Sequence, residues 1–280
     1  MFASGGADDL FVGFRRRRPP NWRTPITTAR ASARSAQWRV RRALAPLALL
    51  SAFVALMTPR ASLAAEAVRC ALPKEVESVG LQPPPAAEIQ RDVPIASYLL
   101  SLSWSPEVCR AHPEDPDAEL RCKLNRFGFT VHGLWPNGPD KVHPRYCGEP
   151  TVVDPTTLRA DLCMTPSRWL LQHEWEAHGT CAWATPQAYF ARARALRATL
   201  IMPDLIPGKG EAMTAGEVRA AFLARNPGLA RDELEVEVDS ANRLQEVHVC
   251  YNLAFKPAPC LGGGGAPDAA TVFVTPEAPR

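Results

Sequence analysis

From residue 95 the chain moves between two hydrophobic rhythms. "IASYLLSLSWSP" (95–106) is an apolar run rich in strand formers and is predicted to be a strand ended by Pro106. "RFGFTVHGLWP" (126–136) alternates Phe127, Phe129 and Val131 against Gly128, Thr130 and His132. That period of two predicts a strand with His132 on the face opposite Phe129 and Val131, stopped by Pro136. Between them, "AHPEDPDAELRCK" reads as a polar loop or short helix. Helical grammar then repeats. "DPTTLRADLC" offers Asp154 as N-cap and Pro155 at the first helical position. "TPSRWLLQHEWEAHG" offers Thr165 and Pro166 in the same roles, with Gly179 as the stop, and "TPQAYFARARALRATL" starts again from Thr185. "TAGEVRAAFLARNPG" carries a capping box, Thr214 with Glu217. "ELEVEVDSANRLQEVHVCYNLAF" alternates on both sides of turn residues 239–242 and predicts a β-hairpin, followed by a glycine-rich loop and a last strand, "TVFV". Interspersed helices and strands with a late antiparallel hairpin predict a single α+β domain over 95–280.

The region before residue 95 follows other rules. Residues 1–65 hold Arg15–Arg18 and seven further arginines against Asp8 and Asp9. Arg39, Arg41 and Arg42 precede the apolar run "ALAPLALLSAFVALM" (43–57), and small residues follow at Ser62–Ala67. A basic flank, an apolar core and a small-residue cleavage site describe a secretory signal peptide. The run is shorter than the ~20 residues of a spanning helix, so no membrane attachment is expected after cleavage. Residues 1–38 are long ahead of such a signal and read as an over-called start of translation. The proline-rich 66–94 reads as an extended arm pinned by Cys70. Localisation is therefore expected to be secreted or periplasmic.

Removing the leader changes the sign of the charge. The chain has 32 Lys+Arg and 29 Asp+Glu; residues 66–280 keep 21 and 27, a net charge of −6. A basic stripe of the kind that grips nucleic acid non-specifically is absent from that part, so a polyanion must be handled by a local site. All eight cysteines lie beyond the leader, and an even count in an exported chain favours disulfides. No CxxC spacing occurs, and eight cysteines allow 105 pairings.

The densest chemistry is "HEWEAHGTC", His173 to Cys181. The two histidines are five apart, one residue too many for the HExxH zinc-protease motif, and no third ligand is evident, so no metal is expected. On a helical wheel His173, Glu174, Ala177 and His178 share one broad face. Two imidazoles with a carboxylate between them suit proton transfer near neutral pH. His132, followed by Gly133 and by Trp135–Pro136, adds an acid/base group beside an aromatic platform on which a base can stack. His112, His143 and His248 stand alone and are expected to be structural.

"FTVHGLWPNG" and "LLQHEWEAHGTC", supported by "YLLSLSWSPEVC" and "EVHVCYNLAFKPAPC", resemble the two active-site segments and flanks of the ribonuclease T2 family over about residues 96–260. The resemblance implies a disulfide-bonded α+β domain with a central antiparallel sheet flanked by helices. It implies cleavage of single-stranded RNA without a cofactor, through a 2′,3′-cyclic phosphate, by a monomer. His178 would be general base, His132 general acid, His173 the phosphate ligand, Glu174 its polarising or orienting neighbour, and Trp135 the base platform. The resemblance also implies pairs Cys109–Cys122, Cys147–Cys181 and Cys250–Cys260, leaving Cys70–Cys163. Two positions depart from the family pattern. Ala177 stands where a lysine is usual, which removes a preorganised cation of order 10²-fold in rate unless Lys141 or Arg145 reaches in. Asn137 stands where some members carry an acid near the base site, so base preference is open. The rival expectations are a weak or inactive RNA-binding member and a metal-dependent phosphodiesterase.

Overall fold

The computed structural model describes residues 70–277 apart from Gly208 and Gly263; the leader and its cleavage site lie outside the described residues. A four-stranded antiparallel sheet, in the order β2-β1-β5-β4, is built from β1 (Ser97–Trp104), β2 (Phe129–Asn137), β4 (Leu234–Val238) and β5 (Leu244–Tyr251). Helices α1 (Ser105–Ala111), α2 (Pro155–Asp161), α3 (Arg168–Ala177), α4 (Pro186–Ala198) and α5 (Ala215–Arg225) surround it. Strands β3 (Ala212–Thr214) and β6 (Thr271–Phe273) pair separately as a two-stranded ribbon. The architecture is α+β.

One face of the large sheet is apolar. Leu100, Leu102 and Trp104 of β1, Val131 and Leu134 of β2, and Val236, Val247 and Val249 are all buried. Phe129 meets Phe222 of α5 edge-on at 5.0 Å, and the Tyr189 hydroxyl of α4 accepts from the Leu134 N–H at 3.0 Å. The other face is built from two polar rungs. Registered pairs run Gly133–Ser101–His248–Glu235 and Thr130–Ser103–Glu246–Glu237 across β2, β1, β5 and β4. Between these rungs β2 is bulged: Ser101 faces Gly133 and Leu102 faces Val131, so His132 is the extra residue. A bulge re-aims side chains by inserting one residue against none. Here it keeps Val131 and Leu134 on the apolar face and leaves His132 among the polar groups.

Several sequence expectations need correction. Pro136 does not stop β2; it lies inside the strand opposite Tyr98, tolerated because β2 is at the sheet edge. Pro106 opens α1, which the sequence reading did not predict, in the first turn where a missing N–H costs nothing. Ser167, not Thr165, caps α3 by accepting from the Leu170 N–H, while the Thr165 hydroxyl donates to the Val131 carbonyl. Gly179 is not a left-handed stop; a Cβ there would run into the Trp175 ring, so its role is close packing. The caps at Asp154 and Thr185, the capping box of Thr214 with Glu217, and the late hairpin form as expected.

Four disulfides join Cys109–Cys122, Cys147–Cys181 and Cys250–Cys260, the pairs the resemblance implied, and Cys70–Cys163, the pair left over. The arm is held well beyond Cys70. The Ser78 hydroxyl donates to the Val153 carbonyl at 2.6 Å, and the Gln82 N–H donates to Glu176 at 3.0 Å. Gln90 exchanges backbone hydrogen bonds with Arg145.

Candidate active site

Helix α3 brings one end of the "HEWEAHGTC" stretch onto the polar sheet face. Glu174 is buried, and its Oε1 lies 3.3 Å from His132 Nε2 while its Oε2 accepts from the Trp135 indole N–H at 2.8 Å. Gly133 makes this approach feasible, because a Cβ there would overlap the Glu174 carboxylate and Trp135 Nε1. The second glutamate of the stretch serves the fold. Glu176 accepts from the Gln172 side chain and from Gln82 in the arm, and points away from the histidines' chemistry.

His178 departs from the helical wheel. It is the C-cap of α3, with φ −121° and ψ −42°, so the helix ends one residue before it. Its ring stacks on Trp135 with centroids 5.4 Å apart and planes 29° apart, and its buried Nδ1 has no hydrogen-bond partner. Burial drives its pKa down to about 4, against the pull of the Glu174 charge; Arg145 and the neighbouring imidazoles push the same way as burial. His178 is thus neutral at neutral pH.

His132 stands in the opposite condition. Burial disfavours its charged form, but the Glu174 and Glu246 carboxylates outweigh that and raise its pKa to about 10. Its Nδ1 bonds Glu246, while Nε2 faces Glu174. Burial would likewise raise the Glu174 pKa, yet the His178 and His132 rings hold it below the usual carboxylate range. At neutral pH the pair is one charged and one neutral imidazole on either side of one carboxylate and one indole.

A cleft of about 440 Å³ opens beside this cluster, with His132, His173 and Glu246 in its wall together with His112, Arg121 and Trp169. His173 is half-buried and meets the Tyr146 ring edge-on at 6.3 Å. His178 and Trp135 are not among the residues that line it. Trp135 is half-buried and boxed by His132, His178 and His248. Asn137 ends β2, takes the Ala96 N–H on its carbonyl, and is not part of the cleft wall.

Ala177 is completely buried. Residues 145–147 close over it: the Tyr146 N–H donates to the Ala177 carbonyl at 2.9 Å, and Cys147 is bonded to Cys181. Tyr146 adopts φ 53°, in the left-handed region, to make that contact. The same turn delivers Arg145, whose guanidinium lies over the Tyr146 ring at 5.4 Å and whose charge reaches His178. The space at position 177 is therefore occupied by protein, and the cation of the neighbouring segment, Arg145, is ion-paired with Glu88 at 2.9 Å.

Two residues of the cluster were not singled out in the sequence. Glu246 and His248 were hidden because a strand alternation shows which residues share a face but not which strand lies beside them. His248, expected to be structural, sits on the polar face with Nε2 2.8 Å from Glu246 and Nδ1 3.6 Å from Glu235. Burial works against its charged form, but Glu235 and Glu246 raise its pKa to about 9. His143, by contrast, accepts the Gly138 N–H at 3.2 Å and is structural. Ligand atoms of Glu235, Glu237 and His248 come within 4.8 Å of one another, but both His248 nitrogens already face carboxylates.

The sequence model of the Ribonuclease T2 family matches residues 95–260. The chain is 32% identical over 179 residues to a probable ribonuclease of Haemophilus influenzae, covering 60% of this chain and 61% of that protein. It is 38% identical over 100 residues to a ribonuclease of Aeromonas hydrophila, covering 36% of this chain and 44% of that one. It thus spans less than two thirds of the length of either relative. Among solved structures, an RNase-related protein from Calystegia sepium superimposes with a TM-score of 0.53 at 18% identity, over 65% of this chain and 98% of that one. Trichomaglin, described as an S-like ribonuclease, gives 0.50 at 20% identity, over 67% and 100%. Both likenesses are of fold.

Proposed function

The chain belongs to the ribonuclease T2 family, and from that premise we propose that it is an endoribonuclease that cleaves single-stranded RNA by transesterification, without a metal. The 2′-oxygen attacks phosphorus as His178 takes its proton. The P–O5′ bond breaks as His132 Nε2 passes its proton to the leaving 5′-oxygen. A 2′,3′-cyclic phosphate results, and His132 is left neutral with His178 charged, the arrangement that reverse proton transfers through water restore. His173, on the cleft wall, binds the phosphate, Glu174 orients His132 and holds the Trp135 indole, and Trp135 offers its ring to the base.

The observation that carries this reading is the placement of two imidazoles against one indole, Trp135, beside the buried Glu174 carboxylate, in surroundings that push their pKa values apart. Concerted acid/base chemistry needs a base that is unprotonated and an acid that is protonated at the same pH. His178, lowered to about 4, and His132, raised to about 10, meet that requirement over the whole neutral range. Arg145 is a cation whose charge reaches His178, although its guanidinium is ion-paired with Glu88 at 2.9 Å and it is not in the cleft wall. Four disulfides agree with an oxidising compartment, and among the described residues no helix is long and apolar enough to cross a membrane. The protein acts as a secreted or periplasmic monomer.

The test is incubation of the full chain, leader removed, with RNA and with DNA of matching sequence in the presence of a chelator. Cleavage of RNA alone, leaving cyclic-phosphate ends and abolished by His132→Ala, is the expected result. Intact RNA over a range of pH with folded protein would leave a binding protein, and activity lost to the chelator would leave a metal-dependent phosphodiesterase.

A further inference from the structure

We propose that Glu246 and His248 of β5, backed by Glu235 of β4, form a positioning relay that decides which nitrogen of His132 carries its transferable proton and how firmly it is held. The proposal rests on the reading of His132 as the general acid, and it concerns residues that touch His132 rather than substrate.

Glu246 has no freedom to serve another purpose. Its Oε2 accepts from the Ser101 hydroxyl at 2.7 Å and faces His248 Nε2 at 2.8 Å. Its Oε1 accepts from the Ser103 hydroxyl at 3.1 Å and from His132 Nδ1. A carboxylate has about four lone-pair sites, and all are filled. On strand β1 Ser103 is its register partner and Ser101, opposite His248, its diagonal neighbour, so the carboxylate is fixed by the sheet itself. A carboxylate so held accepts only from an N–H, which places a proton on Nδ1 in both protonation states of His132. The mobile proton is then on Nε2, the nitrogen directed at Glu174.

His248 sets the strength of that hold. Both its nitrogens face carboxylates, and Glu235 is in turn fixed by the Gly264 N–H at 2.8 Å. Glu246 therefore shares one negative charge between two imidazolium rings, and each ring weakens its grip on the other. The charged and titratable groups around the relay are Glu174, His173 and His178 from α3 and its end, Glu237 and Glu235 from β4, and Arg219 from α5, whose charge acts on Glu235 and Glu237. Burial raises the Glu237 pKa, whereas the His248 hydrogen bond outweighs burial and lowers that of its neighbour Glu235. A row of ionisable groups inside a sheet is costly to bury and contributes little to the apolar core on the opposite face. Its placement at the bulge that carries His132 gives it a chemical use.

The relay is tested with Glu246→Gln and His248→Gln in the full chain, because the two substitutions have opposite consequences. The readouts are the ¹⁵N tautomer and titration of the His132 ring in ligand-free protein, and the pH profile of dinucleotide cleavage in chelator. In wild type the neutral ring is expected to carry its proton on Nδ1; an Nε2–H tautomer would overturn the proposal without any variant. Glu246→Gln should move the His132 titration acidward by about 1–2 pH units and bring the alkaline limb of activity with it. His248→Gln should move the titration in the alkaline direction and lower turnover while leaving KM, since a more tightly held proton is given up less readily. An unshifted His132 in Glu246→Gln, or a shift of the same sign in both, would sink the relay. If Glu246→Gln does not fold, the wild-type tautomer and the alkaline shift in His248→Gln still decide the relay. Absence of RNA cleavage by the wild type would count against the functional reading alone, because the ligand-free titration still decides the relay.

Discussion

His132 and His178 are the same side chain in one site, one half-buried and the other buried, yet they sit on opposite sides of neutrality. The difference lies in what their nitrogens meet. His132 stands on a sheet, where a polar rung supplies Glu246 to Nδ1 and α3 supplies Glu174 to Nε2, and those attractions outweigh the cost of burying the charge. His178 stands at a helix end against an indole, with Nδ1 buried and unpartnered, and there burial acts with little opposition. Desolvation has no fixed sign for a histidine's usefulness; the partners decide whether a dry imidazole becomes an acid or a base.

The contrast can be broken at either ring. His132→Ala and His178→Ala should each lower kcat by about 10²–10⁴-fold, with His132→Ala removing the alkaline limb of the profile and His178→Ala the acid limb. In wild type kcat/KM should be flat between limbs near 4 and near 10, rising as His178 loses its proton and falling as His132 loses its own. The same values act on stability. The His132 contribution is fully present below the ordinary histidine value of about 6.5 and is lost as pH rises through about 10. The His178 contribution is present above about 6.5 and is lost as pH falls towards about 4. Chemical denaturation at pH 5, 7 and 10 checks both signs.

Smaller effects sharpen the helix half. Replacing Cys147 and Cys181 by serine opens a 34-residue loop and should cost about 3–4 kcal/mol in a denaturant titration. It should reduce activity more than equal destabilisation elsewhere, because the bridge holds Arg145 and Tyr146 over Ala177. Ala177→Lys should destabilise by about 1–3 kcal/mol, since the added chain enters filled space, and turnover should not rise. A gain in turnover would show that Arg145 leaves the phosphate under-served. Arg145→Gln should raise the acid limb by a few tenths to about one pH unit, as a cation near His178 is removed.

How much of this could be read from residues follows from the range of each signal. Caps and turns act over three or four residues, so Asp154, Thr185 and the Thr214–Glu217 box were legible as letters. His132, His173, Glu174 and His178 were legible because they crowd within two short stretches. Glu246 and His248 were not, because their meaning depends on β5 lying beside β1 with Ser103 and Ser101 as partners, a pairing set across more than 140 residues. Pro136 misled for the same reason: whether proline ends a strand depends on its place in the sheet. Ala177 was legible as a missing cation but not as a filled space, since the covering segment comes from 145–147.

The bulge at His132 has a consequence for inheritance. Removing that one codon in frame would restore an uninterrupted ladder, with Val131 still opposite Leu102 and Gly133 still opposite Ser101. Every apolar pairing of β2 would survive, but Glu174 and Glu246 would lose the imidazole that lies between them. The single extra residue that places the imidazole thus ties the site to the stability of the sheet that carries it.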